Sequence, residues 1–229
     1  MITEIAMLFS IIVFWWLGIK TQKHYKGTKA AVILYLSIFL LFSGAGIAGY
    51  LLRIIFAEWP TADTVFLMIG GIFQISGVLS GLIFSLFLFK VSWAEKKLKI
   101  FFITAVVIII GLSSVVFSLP IYKINEISPD PYSLFSAKRT EFVFITPVKI
   151  LMAIVIILPL LIICFSLFRE GFKNKEIRKK SWLISLGFLL YLMAMFFDGV
   201  AFTPLLLWMW RLFYGISGLV IYKGFTMKT

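Results

Sequence analysis

The chain has 229 residues, of which 62% are hydrophobic and only 14% are charged. Its mean hydropathy is +1.06. Soluble domains are nearer half apolar and a quarter charged. The composition therefore excludes a single soluble domain and a disordered chain, and it indicates a polytopic membrane protein.

Seven apolar runs reach the length of about 20 residues that a membrane-spanning helix needs. In chain order they are 2–19, 30–57, 64–89, 100–119, 147–168, 181–200 and 204–222. The first run lacks a basic start and a small-residue cleavage site, so we expect a span and not a signal peptide. The predicted fold class is all-α, with one seven-transmembrane-helix bundle over residues 1–229.

The net charge of +12 is concentrated in alternate connections between the runs. Basic clusters follow the first, third, fifth and seventh runs: Lys20, Lys23, Lys26 and Lys29; Lys90, Lys96, Lys97 and Lys99; Arg169, Lys173, Lys175, Arg178, Lys179 and Lys180; Lys223 and Lys228. Cytoplasmic connections carry excess Lys and Arg, so we predict an N-terminus outside the cell membrane and a cytoplasmic C-terminus. Clusters between apolar runs also argue against a nucleic-acid partner, which requires a solvated basic face or arm.

The longest connection, 120–146, falls on the predicted outer side. Ser128-Pro129-Asp130-Pro131 is a turn signal. Asp130 and Pro131 suit the N-cap and first position of a short helix through Arg139. We expect a surface connection, with a lid over the outer mouth of the bundle as the alternative.

Charged residues at membrane depth form the candidate site. Arg53, Lys149, Asp198 and Arg211 all fall in the predicted outer leaflet. At a rise of about 1.5 Å per residue, Arg211 lies about 10 Å below the outer surface. Charges in spans usually face the bundle interior or a wet cavity. We predict that Asp198 pairs with Arg211 and that the remaining positive potential is a docking place for an anionic group.

A structural interpretation stands beside this functional one. Arg53 and Lys149 would then extend from the span ends to the lipid headgroups. Asp198 and Arg211 would form a clasp that holds the sixth and seventh spans together.

Small residues follow helical stripes on three spans. The stripes are Gly46, Gly49, Tyr50 and Arg53; Gly70, Gln74, Gly77 and Gly81; and Arg211, Gly215, Gly218 and Tyr222. Such stripes allow close helix approach, and packing is their first explanation. The functional interpretation is that these faces surround a polar cavity. The candidate ligand-binding residues are thus Tyr50, Arg53, Gln74, Lys149, Asp198 and Arg211.

Enzyme chemistry finds little support in the sequence. The single histidine, His24, falls in the first predicted cytoplasmic connection, so histidine cannot supply a haem, zinc or nucleophile site at membrane depth. Cys164 is the single cysteine and lies in an apolar run, where we expect a buried helix residue. We predict a non-enzyme without a cofactor or a metal site.

The C-terminal stretch reads Arg211-x-x-Tyr214-x-x-x-Gly218-x-x-x-Tyr222-x-Gly224-Phe225. It resembles the closing helix of stand-alone seven-span proteins of prokaryotes, which in turn resemble the seven-helix sensor modules of some histidine kinases. The resemblance covers one span, and the remaining spans only in topology. It favours a receptor-like or sensor-like protein that binds a small ligand, anionic or lipidic, from the outer side.

Two other functions stay open. Phe73–Gly77 resembles Phe213–Gly218, which is compatible with a small-solute transporter built as a 3+1+3 helix repeat, although chance also explains so short a match. The other is an accessory subunit of a membrane complex, whose basic cytoplasmic face docks an acidic partner or anionic lipid. The expected partners are membrane lipids, a small-molecule or lipid ligand, and a cytoplasmic protein at the basic connections.

Overall fold

The computed structural model describes residues 2–56, 59–88, 100, 122–127, 139–144, 146–200 and 204–227. Side chains are described for 2–56, 59, 65–84, 100, 157, 160–198 and 207–227. The predicted fourth span, apart from Ile100, lies outside these residues, as do the basic cluster at 90–99 and the turn signal at 128–131.

Six helices make up most of the described chain: α1 (Ile2–Thr28), α2 (Ala31–Ile55), α3 (Pro60–Leu88), α4 (Thr146–Lys173), α5 (Arg178–Val200) and α6 (Pro204–Thr226). Each coincides with one predicted run. Within the described residues, 4 helical stretches are long and apolar enough to cross a membrane: Ile2–Thr28, Ala31–Ile55, Val65–Phe84 and Arg178–Asp198. This is the pattern of an integral membrane protein.

Several helices continue past the apolar runs that predicted them. α1 extends to Thr28, so His24 lies exposed on a helix, and its placement in a connection was wrong. α4 likewise extends to Lys173. Hydropathy marks only the length of helix in the hydrocarbon, because a helix needs no apolar residues beyond it. Lys29, with a φ of 55°, ends α1 in the left-handed conformation common after helices.

The described helices form a closed ring in chain order, because α6 packs back on α1. Tyr191 of α5 lies at the centre of this ring. Its aromatic ring lies 5.9 Å from that of Phe14, 5.3 Å from Phe39 and 5.5 Å from Tyr214, all edge to face. The core of the bundle is therefore a buried aromatic cluster contributed by α1, α2, α5 and α6.

Serine hydroxyls link neighbouring helices by donating to backbone carbonyls. Ser37 of α2 donates to Gly18 of α1 at 3.0 Å, and Ser80 of α3 donates to Tyr35 of α2 at 2.8 Å. Ser185 of α5 donates to the carbonyl of Cys164 in α4 at 2.9 Å. Cys164 is buried in its helix, as predicted. Small hydroxyl side chains allow close approach and add a hydrogen bond across the contact.

The glycine stripes of α2 and α3 pack directly against each other. A methyl group added at Gly49 would lie 2.7 Å from the Cα atom of Gly70, and one added at Gly46 would meet the side chain of Gln74. The prediction of close packing is confirmed. The prediction that these faces surround a polar cavity is wrong, because two faces without side chains bring the backbones together and leave no space between them.

The glycine face of α6 packs on α1 instead. A methyl group at Gly215 would lie 2.6 Å from the ring of Phe9, and one at Gly218 would lie 3.3 Å from the ring of Phe14. The stripe of α6 therefore makes a separate contact and lines no common space with α2 and α3.

Replacing Gly77 tests the α3 stripe. A methyl group there would lie 3.1 Å from Ser43 Oγ, whereas Leu79, two residues on, is half-buried. We expect Gly77→Leu to cost about 1–3 kcal/mol of stability, because the larger side chain pushes α2 away. Leu79→Phe should be tolerated. Equal melting temperatures of the two variants in detergent would contradict the assignment.

The long connection contains a β-hairpin. β1 (Tyr122–Ile127) pairs antiparallel with β2 (Arg139–Phe144), and Ile127 lies opposite Arg139. The prediction of a short helix from Asp130 through Arg139 is wrong at its C-terminal end, because Arg139 is the first residue of β2. The β-branched and aromatic residues of the two segments favour strands. Residues 128–138 lie outside the described chain.

The described basic clusters converge at one end of the bundle, which we call the basic end. Lys20 Nζ of α1 lies 5.4 Å from the ring of Tyr222 in α6. Lys180 Nζ of α5 lies 5.6 Å from the ring of Phe225, which also packs 6.2 Å from Phe84 of α3. The prediction that alternate connections lie on the same side of the membrane requires the basic clusters to meet at one end.

Candidate functional site

An ion pair joins α5 and α6 towards the end opposite the basic end. Arg211 Nε donates to Asp198 Oδ1 at 2.9 Å, which confirms the predicted pairing. The Arg211 side chain is only 6% exposed, and that of Asp198 is 20% exposed. A buried arginine requires such a partner, because an uncompensated charge in the interior is costly.

The guanidinium of Arg211 is incompletely satisfied. Its Nη1 is buried and has no hydrogen-bond partner within the described residues. A buried donor without an acceptor costs about 1–3 kcal/mol, and more when it is charged. Within the described residues, the ion pair therefore leaves one donor without a hydrogen-bond acceptor, and an anionic acceptor would satisfy it best.

Ser10 of α1 holds the helical turn that carries Arg211. Its hydroxyl donates to the carbonyl of Arg211 at 2.6 Å and accepts from the N–H of Gly215 at 2.9 Å. The sequence analysis missed Ser10. A helical stripe shows that α6 has a small-residue face, but it does not show which helix covers that face.

Two more predicted residues, Tyr50 and Arg53, lie on α2 and are half-buried. Tyr50 is close enough to both Arg53 and Asp198 for electrostatic interaction. Tyr214 of α6 is similarly close to Asp198 and Arg211. The structure thus brings Tyr50, Arg53, Asp198 and Arg211 into one polar cluster and adds Tyr214, which had been noted only for its resemblance to other proteins.

Gln74 belongs to a separate group deeper in the bundle. Its Nε2 donates to Tyr191 Oη at 2.6 Å, and Tyr191 Oη donates to Ser43 Oγ at 2.9 Å. Gln74 Oε1 is buried and has no hydrogen-bond partner in the described part of the chain. Tyr191 and Ser43 were missed, because nothing in a single apolar run shows that its tyrosine reaches two other helices.

Removing the Tyr191 hydroxyl should weaken this group. Tyr191→Phe keeps the aromatic packing but leaves the Gln74 amide without its acceptor and Ser43 without its donor. We expect a loss of about 1 kcal/mol, the usual size of a hydrogen bond between membrane helices. Thermal unfolding in detergent measures it, with Tyr25→Phe at the basic end as the control. An unchanged melting temperature would mean that the bonds contribute nothing to stability.

Lys149 lies in the first turn of α4, and its side chain is outside the described residues. Its contribution to the polar cluster stays a prediction. Among the described residues, no three His, Cys, Asp or Glu side chains lie close enough together to hold a metal ion. The described cluster is chemically suited to anion recognition, since the buried guanidinium of Arg211 pairs with one carboxylate and interacts electrostatically with Tyr214.

Comparison of the chain with protein-family models and with curated proteins finds no match. The resemblance of the last helix to those of seven-span sensor proteins therefore stays a prediction from its own residues. Functional argument rests on the polar cluster and on the distribution of charge along the bundle.

Proposed function

We propose that the chain is a receptor-like or sensor-like protein of the cell membrane that binds a small anionic or lipidic ligand at the Asp198–Arg211 pair. The observation that carries this proposal is Arg211 Nη1, which is buried without an acceptor within the described residues. Arginines at membrane depth are costly and commonly mark functional sites. A carboxylate or phosphate on the ligand would supply the missing acceptor.

The ligand would enter from the outer side. The pair lies away from the basic end, and by the positive-inside bias the basic end is cytoplasmic. The proposal includes seven spans and an outer N-terminus. Asp198 is 20% exposed, so the ligand would approach the pair past this carboxylate.

Binding at this position would be coupled to helix packing. Arg211 Nη1 has no contact with solvent, so an anion reaches it only when α5 and α6 shift apart. Ser10 fastens the same turn of α6 to α1, so the shift would extend to α1. A ligand that prefers the shifted arrangement changes the population of the two states, which is the physical requirement for a receptor.

The packing of the bundle supports a receptor over a small-solute transporter. A transporter requires a polar substrate site near the midplane. Tyr191, Phe14, Phe39 and Phe188 fill the centre of the described ring with aromatic contacts. An accessory subunit requires a docking surface and no ligand, so it does not account for the Arg211 donor that has no acceptor among the described residues.

A soluble short-chain phosphatidic acid tests the proposed site. The probe is dihexanoylphosphatidic acid, and dihexanoylglycerol, which has the same chains without the phosphate, is the matched control. We expect the acid to raise the melting temperature of the detergent-purified protein, since a ligand at about 100 times its Kd stabilises by about 2.7 kcal/mol. The neutral glycerol should give no shift.

Two variants make this test specific. Arg211→Gln should reduce the shift strongly, and Lys223→Gln, which removes an exposed charge at the basic end, should retain it. An equal shift in wild-type protein and Arg211→Gln would refute binding at this pair, and so would no shift in wild-type protein at saturating probe.

The proposed sidedness has its own experiment. In a Cys164→Ala background, cysteine at Ser133 should react with a membrane-impermeant maleimide in intact cells, and cysteine at Thr28 should not. The opposite labelling pattern would reverse the orientation and place the Asp198–Arg211 pair on the cytoplasmic side.

A further inference from the structure

An aromatic cluster marks the turn between α4 and α5 at the basic end. The ring of Trp182 stacks on that of Phe168 at 5.4 Å and meets Phe172 edge-on at 5.3 Å. Phe168 is 46% exposed and Phe172 is 58% exposed. Trp182 lies against Gly171, where an added methyl group would displace its indole ring. Two exposed phenylalanines therefore form an apolar surface with a tryptophan beneath it.

An ordered arginine stands over this aromatic cluster. The Arg178 guanidinium lies 5.8 Å from the centre of the Trp182 ring, and its Nε donates to the carbonyl of Gly171 at 3.1 Å. These contacts hold the Arg178 guanidinium by its Nε and by the face that lies over Trp182. They do not use its Nη atoms, which can donate to another acceptor. The side chain is half-buried, so little conformational freedom is lost when it binds.

The surrounding charge is strongly positive. The turn and the helix ends beside it have four exposed basic side chains: Arg169, Lys173, Lys175 and Lys179. The acidic residues of the same segment are Glu170 and Glu176. The Trp182 indole N–H is buried and has no hydrogen-bond acceptor among the described residues. The turn thus combines excess positive charge with an indole N–H of Trp182 that has no acceptor among the described residues.

We propose that the α4–α5 turn binds one anionic phospholipid, whose phosphate contacts Arg178 and whose acyl chains lie over Phe168 and Phe172. The apolar runs on either side end at about residues 168 and 181, so Phe168 lies at acyl depth and Arg178 at headgroup depth. Basic pockets between helices on the cytoplasmic side suit anionic headgroups. Exposed phenylalanines beside an apolar span favour lipid chains over a water-soluble acidic protein.

Native mass spectrometry of the detergent-purified protein tests this proposal by resolving individual bound lipids. The first phosphatidylglycerol should bind more tightly than the first phosphatidylcholine, whose headgroup has no net charge. Arg178→Gln should weaken phosphatidylglycerol binding about tenfold, because charge-assisted hydrogen bonds to the phosphate are lost. It should weaken phosphatidylcholine binding less, because the choline cation of that headgroup partly neutralises its phosphate and is repelled by the basic turn.

Lys20→Gln is the matched control for charge. Lys20 also lies at the basic end and contacts an aromatic ring, but it is on α1 and is separated from the turn by α6. We expect its loss to change phosphatidylglycerol affinity less than about twofold, since salt screens charges beyond about 8 Å. Equal losses in Arg178→Gln and Lys20→Gln would refute a localised site, and so would equal binding of the two lipids by wild-type protein.

A second pair of variants tests the acyl contact without changing charge. Phe172→Ala should weaken both lipids by about fivefold through lost apolar contact. Phe196→Ala, which removes an exposed phenylalanine from the other half of α5, should leave both affinities unchanged. If the two variants behave alike, the acyl contact is wrong. Arg178→Gln and Phe172→Ala change this turn and leave the Asp198–Arg211 pair intact, so failure of this proposal is distinguishable from failure of the proposed receptor function.

Discussion

Asp198→Asn and Arg211→Gln are each expected to destabilise the protein, and the double variant is expected to lose less than the sum of the two. Arg211 Nε donates to Asp198 Oδ1 at 2.9 Å from a side chain that is 6% exposed. Removing one partner leaves the other uncompensated, which costs about 3–5 kcal/mol in a dry site. Because Asp198 is partly exposed, we expect values at or below the lower end of that range.

Thermal unfolding in detergent measures the four members of this double-mutant cycle. Lys223→Gln is the control, because neutralising an exposed charge usually changes stability by less than about 0.5 kcal/mol. Additive losses would mean that the two groups do not interact energetically, despite their hydrogen-bond distance.

The same cycle separates a structural clasp from a binding site. In Asp198→Asn, Arg211 keeps its charge and loses its internal carboxylate. We therefore expect this variant to bind dihexanoylphosphatidic acid more tightly than the wild type, because the competing anion is gone. A clasp without a ligand site predicts binding in neither protein.

Gly49→Ala is expected to destabilise the protein strongly, whereas Gly71→Ala is expected to be neutral or slightly stabilising. The added methyl group at Gly49 would lie 2.7 Å from the Cα atom and 2.9 Å from the nitrogen atom of Gly70. These are backbone atoms, so α3 as a whole must move. Nothing lies within 4 Å of the corresponding position at Gly71.

We expect Gly49→Ala to cost about 1–3 kcal/mol, the usual range for overpacking. Gly71→Ala should gain up to about 1 kcal/mol, because alanine is the better helix former. Melting temperatures in detergent compare the two variants, which make the same chemical change. If both lose stability equally, the requirement for glycine is conformational and does not come from the contact between α2 and α3.

The local chemistry of the chain predicts where its helices lie and where its charges are grouped. Each apolar residue contributes separately to the transfer of a segment into the membrane. Hydropathy alone therefore located the runs that form α1 to α6, whatever helices pack beside them. The period of the α-helix placed Gly70, Gln74 and Gly77 on one face. Asp198 and Arg211 could be paired because their predicted spans are separated by only a few residues in the sequence and few other partners exist at that depth.

The strands β1 and β2 show where local signals compete. The segments 122–127 and 139–144 contain β-branched and aromatic residues that favour strands, but Asp130-Pro131 between them also resembles a helix start. Pairing between strands depends on hydrogen bonds to a partner that is distant in sequence, so a local pattern does not decide between these outcomes.

The tertiary structure alone decided which faces meet. Periodicity shows that α2, α3 and α6 each have a small-residue face, but it does not show that Gly49 meets Gly70 while Gly215 meets Phe9 of α1. Likewise, Tyr191 contacts Ser43 and Gln74 only because the ring of helices closes around it. The choice of neighbour depends on the packing of all helices at once, and no single segment contains that information.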